Sequence, residues 1–340
     1  MKAIWFAEHG PIEVLRYGDF AEPPLERGQV RVRVRACSLN YHDVFTRRGM
    51  PGIKVPLPMI PGCDCAGEVL ETGDGVVGWQ AGDRVLVDPV ERLEDGRFRF
   101  IGDNALGAYA ESVVVGAAQL LPLPEALSYV DASCLPVAYG TSHRMLVTRG
   151  GLQSGETILV LGASGGVGTS CVLLAKRLGA HVIAAAGSAE KCRRLVELGA
   201  DETIDYSRVE FARYCRERTG GLLAGGGYDV VVNFTGGDTW ARSLRCVARG
   251  GRLLTCGATA GFDPPTDIRY IWTGEIDVRG SNGWRRDDLQ ALLAMVADRS
   301  LRPVVDRVVP LEEGIEAHRA MEERAFFGKI VVAPGGSGTC

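Results

Sequence analysis

The segment Gly162-Ala163-Ser164-Gly165-Gly166-Val167-Gly168 limits what this chain can fold into more than any other stretch. It follows the apolar run Glu156–Leu161 and precedes Thr169–Leu178, where apolar residues recur at helical spacing. Such a strand, turning through residues without bulk into a helix, lets the backbone approach a pyrophosphate. The helix amino terminus then offers free N–H groups and a favourable dipole. Ala163, Ser164, Gly165, Gly166 and Val167 are therefore candidate dinucleotide contacts. Ala163 stands where the usual pattern has its first glycine, with Gly162 beside it. A tight turn without a ligand is the competing interpretation, and the order of strand, glycines and helix weighs against it.

The flanking pattern supports this. Buried strands at His181–Ala186, Thr203–Ile204 and Tyr228–Phe234 alternate with helices over Asp131–Val147 and Ser188–Leu198, which predicts a parallel, doubly wound sheet. Before residue 125 the pattern differs. Val30, Val32 and Val34 alternate with Arg31, Arg33 and Arg35, and short strands at Glu68–Glu71, Arg84–Val87 and Glu111–Val115 are separated by glycine and proline. A barrel-like β domain is expected there. Beyond Cys256 come a strand at Ile276–Gly280, a helix over Arg286–Asp298 and strands near Val304–Val309 and Lys329–Val332. A glycine-rich tail from Gly335 is expected to be unstructured.

The dinucleotide's identity is written after the second strand. An NAD site wants an Asp or Glu there, about 20 residues past the glycines. This chain has Ala184-Ala185-Ala186-Gly187-Ser188, then Lys191. A 2′-phosphate can take a hydroxyl from Ser188 and a charge-assisted hydrogen bond from Lys191, so NADP(H) is the expected cofactor. A solvated helix charge is the alternative for Lys191, and Glu190 is the nearest acid for a ribose.

The formal charge of −4 over 340 residues lacks the basic footprint of a dedicated nucleic-acid binder, and no nucleic-acid partner is expected. The uncharged run Thr157–Ala175 is long enough for a membrane span but is interrupted by glycines, so no membrane partner is expected either. Glu8 interrupts any export signal at the amino terminus, and ten scattered cysteines do not form a secreted disulfide scaffold, which implies a cytoplasmic protein.

Several ordered motifs now add up: Asn40-Tyr41-His42-Asp43, Gly62-Cys63-Asp64-Cys65-Ala66-Gly67-Glu68-Val69, Ala81-Gly82-Asp83-Arg84-Val85, the glycine turn, Gly236-Gly237-Asp238 and Phe327-Gly328-Lys329-Ile330-Val331. Together, over nearly the whole chain, they resemble the medium-chain dehydrogenase/reductase superfamily, in its quinone oxidoreductase-like branch. The resemblance implies an α/β protein with a GroES-like β-barrel catalytic domain over 1–124 and 284–340. A Rossmann domain over 125–283 is implied between them, with an active site in the cleft. It further implies that Lys191 and Tyr206 line a 2′-phosphate pocket and that Thr141, Cys256, Gly257 and Lys329 contact the cofactor.

Zinc-dependent alcohol dehydrogenases belong to the same superfamily. Matching motifs puts Asn40, Cys63 and Val137 at the places of their catalytic zinc ligands, a set that zinc would not choose. No cysteine lies between Cys65 and Cys134, yet Pro89–Gly107 resembles the structural-zinc lobe of those relatives without its ligands. Metal ligands are therefore expected to be none. His42, Cys63, Asp64 and Cys65 form a conceivable substitute site, against which buried cysteines are more often small apolar filler.

Without a Lewis acid, hydride transfer is easiest to an acceptor with its own electron sink, a quinone or an α,β-unsaturated carbonyl. Asn40 could donate its amide to a carbonyl or cap the following helix. Tyr41 or His42 could supply a proton, and Asp43 could orient its neighbours, each with a packing or turn role as the alternative. Phe45 stands near where some relatives carry a tyrosine. The expectation is thus a zinc-independent NADPH-dependent quinone or enone reductase. A zinc-type alcohol dehydrogenase and a non-catalytic NADPH- or nucleic-acid-binding relative are the rivals. By fold analogy, Ile276–Gly280 could extend the sheet across a two-fold axis, and a homodimer is expected.

Overall fold

The computed structural model describes residues 1–50, 54–93 and 95–335, so part of the Gly49–Pro58 loop and the tail beyond Gly335 lie outside the described residues. It divides into one unit of residues 1–137 with 289 onward and a second of residues 138–288. The resemblance puts these boundaries at 124/125 and 283/284.

In the first unit the valine–arginine alternation becomes the long strand Gln29–Ser38. Val30 and Val32 are fully buried, while Arg31, Arg33 and Arg35 face carboxylates of Glu22, Glu71 and Glu68 on the other side. Each buried valine contributes about 1.5–3 kcal/mol, whereas exposed ion pairs add about 0–1 kcal/mol, so the apolar face sets the register. This strand pairs antiparallel with Cys65–Thr72, Ser112–Gly116 and Lys329–Ala333. Arg84–Val87, Leu120–Pro122 and Val305–Pro310 complete a seven-stranded sheet. The carboxy-terminal segment thus returns into the amino-terminal sheet. The lobe after the barrel strands is a short hairpin, Val90–Arg92 against Phe98–Phe100.

The second unit carries a six-stranded parallel sheet in the order Glu202–Asp205, His181–Ala186, Thr157–Val160, Tyr228–Val232, Val247–Thr255, Asp277–Gly280. All carboxyl ends lie along one edge, and the order reverses between Thr157–Val160 and Tyr228–Val232, where such sheets bind ligands. The first domain is GroES-like and the second a Rossmann sheet, the fold class that the resemblance implies.

Two local expectations are corrected. The continuous helix over Asp131–Val147 is instead Tyr129–Ser133 followed by wide π-type turns at Leu135–Gly140 and Arg144–Arg149 around Thr141–His143. Pro136 has no N–H to give to the helical ladder, and the ladder widens around it. Val247–Thr255 is a strand that the sequence pattern does not show. Gly250, at φ 72°, and Gly251 interrupt its apolar run, and the buried Arg252 is held there by a two-point pair to Glu156 at 2.6 and 2.8 Å.

Candidate active site

The first unit gathers a buried polar network at the end of strand Gln29–Ser38, where the chain enters helix Tyr41–Arg48. At its centre is Asp64, fully buried. Its Oδ2 accepts from Ser38 Oγ at 2.8 Å, Asn40 Nδ2 at 2.8 Å and Lys329 Nζ at 3.3 Å, and its Oδ1 accepts from the Val137 N–H at 2.9 Å. Lys329, 2% exposed, also donates to Leu39 O at 2.7 Å and Asn40 Oδ1 at 2.6 Å. A buried carboxylate and ammonium are tolerated only when paired and fully hydrogen-bonded, and this pair is both.

The network fixes Asn40. Its oxygen faces the lysine, which can only donate, and its amide nitrogen faces the carboxylate and Ser38 O at 3.3 Å. Both amide protons are engaged within the protein, which leaves none for a substrate carbonyl. Asn40 stands at the N-cap of the helix, where the Asp43 carboxylate accepts its backbone N–H at 2.9 Å.

Asp43 organises a second layer. Its Oδ2 also accepts the Tyr109 hydroxyl at 2.6 Å, and its Oδ1 accepts the Cys63 thiol at 3.2 Å. Burial pushes the Asp43 carboxyl up, against these donors. Burial first and Asp43 second push the Tyr109 hydroxyl and the Cys63 thiol well up. Both therefore stay protonated, as their donation to Asp43 requires. Tyr41 is half-buried, its ring edge-on to Phe45 at 5.2 Å. His42 points to the lobe: Nε2 lies 3.2 Å from Asp103 Oδ2, and the ring stacks on Phe100 at 4.9 Å.

These residues do not fit a zinc ion. Asn40 is bound to Lys329 and Asp64, Cys63 is turned to Asp43, and Val137 has only its backbone N–H, which is given to Asp64. The substitute set also disperses, His42 to Asp103, Cys63 to Asp43 and Asp64 to Lys329. Among the described residues no group of three His, Cys, Asp or Glu could hold a metal ion.

In the second unit, the turn after Thr157–Val160 leads into helix Gly166–Arg177. Gly162 has φ 65°, and a Cβ at Gly168 would stand 2.5 Å from Ala163 Cα, so the helix start can lie this close to the strand only without a side chain. A Cβ at Gly165 would meet nothing nearer than 3.9 Å, so that face of the turn is open for a ligand. At the end of the next strand, Ser188 Oγ accepts the Lys191 N–H at 3.2 Å and caps helix Ala189–Glu197. Tyr206 donates its N–H to Ala186 O at 3.0 Å, and a Cβ at Gly187 would lie 2.9 Å from its hydroxyl. Ser188, Lys191 and Tyr206 thus share one corner. Cys256 and Gly257 follow Val247–Thr255 on the same edge, and Thr141 lies buried in the helical segment Thr141–His143. Lys329 belongs to the other unit, its ammonium inside the Asp64 network. Asn233, which no motif marks, ties the loop after Tyr228–Val232 by accepting from Thr235 N at 2.9 Å and Gly236 N at 3.0 Å.

A strand-reversal edge with a glycine turn in one unit and a GroES-like sheet with a buried polar centre in the other define a dehydrogenase/reductase of the medium-chain type. Residues 26–125 match the alcohol dehydrogenase GroES-like domain family and residues 166–298 the zinc-binding dehydrogenase family. A quinone oxidoreductase from Pseudomonas aeruginosa is 34% identical over 98% of this chain and 99% of its own. The solved structure of an NAD-dependent alcohol dehydrogenase superposes with a TM-score of 0.90 at 36% identity, covering 98% and 99% of the two chains. A 2-octenoyl-CoA carboxylase reductase, solved with NADP and 2-octenoyl-CoA, gives 0.87 at 28% identity, covering 98% of this chain and 87% of its own. The chain belongs to the medium-chain dehydrogenase/reductase superfamily, as a quinone oxidoreductase-like member, and is an oxidoreductase.

Proposed function

We propose that this protein is a zinc-independent, NADPH-dependent reductase of quinones or α,β-unsaturated carbonyls. The observation that carries the proposal is the Lys329–Asp64–Asn40 network, which engages Asn40, one of the three positions that motif matching aligns with zinc ligands of alcohol dehydrogenases, in hydrogen bonds within the protein. Alkoxide chemistry that depends on a Lewis acid has no ligand set here, whereas an acceptor with its own electron sink needs none. The cofactor would rest on the turn at Ala163–Val167 and the edge at Thr141, Cys256 and Gly257. Ser188, Lys191 and Tyr206 would receive its 2′-phosphate, with no carboxylate at the end of His181–Ala186 to repel it. NADPH, when bound, supplies the hydride. The chain's own tasks are to orient the acceptor, exclude water and protonate the product.

Every cysteine among the described residues is unpaired, which suits a reducing cytoplasm. A homodimer through the sheet edge Asp277–Gly280 is proposed on fold analogy, with Val278, Trp272 and Ile268 exposed beside it.

The test is fluorescence titration of metal-stripped protein with NADPH and NADH, followed by turnover of 1,4-benzoquinone in chelator. Tighter NADPH binding with undiminished turnover is expected. Preference for NADH overturns the role given to Lys191. Activity restored only by zinc overturns the metal-free mechanism in favour of an alcohol dehydrogenase, and binding without any turnover removes the enzyme claim.

A further inference from the structure

We propose that the lobe after the barrel strands supplies a positioning carboxylate, Asp103, that fixes the His42 ring so that its Nδ1 delivers the proton to the reduced substrate. This rests on the reductase proposal above and names its proton donor.

Asp103 is 5% exposed, and its Oδ2 lies 3.2 Å from His42 Nε2. Its other oxygen is buried and has no hydrogen-bond partner among the described residues. Burying a carboxylate while leaving one oxygen bare is costly, and a chain that needed only a well-packed lobe would gain from an apolar residue there. The carboxylate serves one partner, the imidazole. An ionised carboxylate only accepts hydrogen bonds, so Nε2 carries the proton and Nδ1 is the nitrogen left for exchange. Phe100, on the same lobe, stacks against the ring with planes 24° apart and restricts its rotation. Hairpin Val90–Arg92/Phe98–Phe100 and its following turn thus hold His42 from the side and from one end.

Tyr41 and His42 are the side chains of the Asn40–Asp43 segment that remain partly accessible, the His42 side chain at 23%, and of the two His42 is the one held by the carboxylate. Asn40 and Asp43 are bound inside the buried network. Hydride addition to the β-carbon of an enone leaves an enolate. Its α-carbon takes the proton from Nδ1 of the imidazolium as the N–H bond breaks and the C–H bond forms. The neutral ring, still bonded through Nε2–H to Asp103, recovers a proton from water. The sum is one NADPH, one proton and one enone giving NADP⁺ and the saturated carbonyl.

The first test needs no substrate. Long-range ¹H–¹⁵N spectra of the free protein, with His42 assigned from His42→Gln, are expected to show the Nε2–H tautomer in the wild type and a mixed ring in Asp103→Asn. A ring in the Nδ1–H form, or one unchanged by Asp103→Asn, overturns the positioning role. The second test is 2-cyclohexenone reduction. His42→Ala is expected to lower kcat about a hundredfold with KM within about threefold, and added imidazole to restore about tenfold. Asp103→Asn is expected to lower kcat about tenfold and Asp103→Glu to recover most of it, with His42→Gln as the isosteric control for folding. Full activity in folded His42→Gln, or loss without imidazole rescue, overturns the proton-donor role. No NADPH oxidation by the wild type with either enone or quinone removes the reductase proposal and the donor role with it, and the spectra then decide the pairing alone.

Discussion

The two candidate sites are built in opposite ways. In the second unit the turn Gly162–Gly168 is contiguous, and the surface proposed to meet the cofactor is largely backbone. In the first unit the polar centre draws Ser38 and Asn40, Asp64, Val137 and Lys329 from four separate stretches, and its specificity lies in side chains. A backbone site needs small residues at a fixed spacing and tolerates variety around them. A side-chain network needs every partner, because each absence strands another group without water.

Breaking the network should therefore cost more than altering the turn. Lys329→Met leaves Asp64 buried without its countercharge and is expected to destabilise the first unit by about 3–5 kcal/mol, read from urea unfolding. Adding Asp64→Leu should restore part of that loss, since removing both charges removes the penalty; a double variant no better than the single one contradicts the pairing. In the second unit Gly168→Ala forces a Cβ against Ala163 Cα and the Gly162 carbonyl. About 1–3 kcal/mol of stability and most dinucleotide affinity should go with it, by calorimetry.

Acid separates the units further. His318, in helix Gly314–Glu322 of the first unit, is fully buried with neither ring nitrogen hydrogen-bonded among the described residues, and burial first, then Arg47 and Arg48, pulls it down to about 3. Between about pH 6.5 and 3 the unfolded chain takes a proton there that the folded one refuses, so stability falls as pH falls through that window. From pH 7 to 5 the expected loss is about 2 kcal/mol, at about 1.4 kcal/mol per unit below 6.5. His318→Leu should flatten it, and denaturation midpoints at the two pH values check this. The smallest effect is expected at the corner of Ser188 and Lys191. Lys191→Ala should weaken NADPH binding about tenfold, about 1.4 kcal/mol, and leave NADH within about twofold, by the same titration. Equal losses for both cofactors would remove Lys191 from the 2′-phosphate site.

What was legible follows the same division. The strand Gln29–Ser38 and the helix at 189–197 stand close to where periodicity puts them, because each buries one apolar face, and His181–Ala186 stands where its continuous apolar run puts a strand buried on both faces. Helices Phe211–Thr219 and Gly314–Glu322 carry no such signal. The first buries only Phe211 and Cys215, and the second buries Gly314, Ala317, His318 and Met321, a face with one large apolar side chain. A Cβ at Gly314 would lie 2.5 Å from Ile4, so smallness there serves packing that only the fold reveals. The segment Asn40–Asp43 was legible as a place but not as a set of roles. Asp103, which singles out His42, lies 61 residues away in a lobe whose sequence offers no local cue.

By itself the sequence determined the class of fold and the glycine turn, because strand period and helix start are local properties of residue type and spacing. Only the tertiary structure decided that Lys329 neutralises Asp64, that the Asn40 amide is engaged by protein and that His42 meets a carboxylate. Hydrogen bonds among buried side chains depend on which distant strands lie side by side, and a single sequence does not write that pairing down.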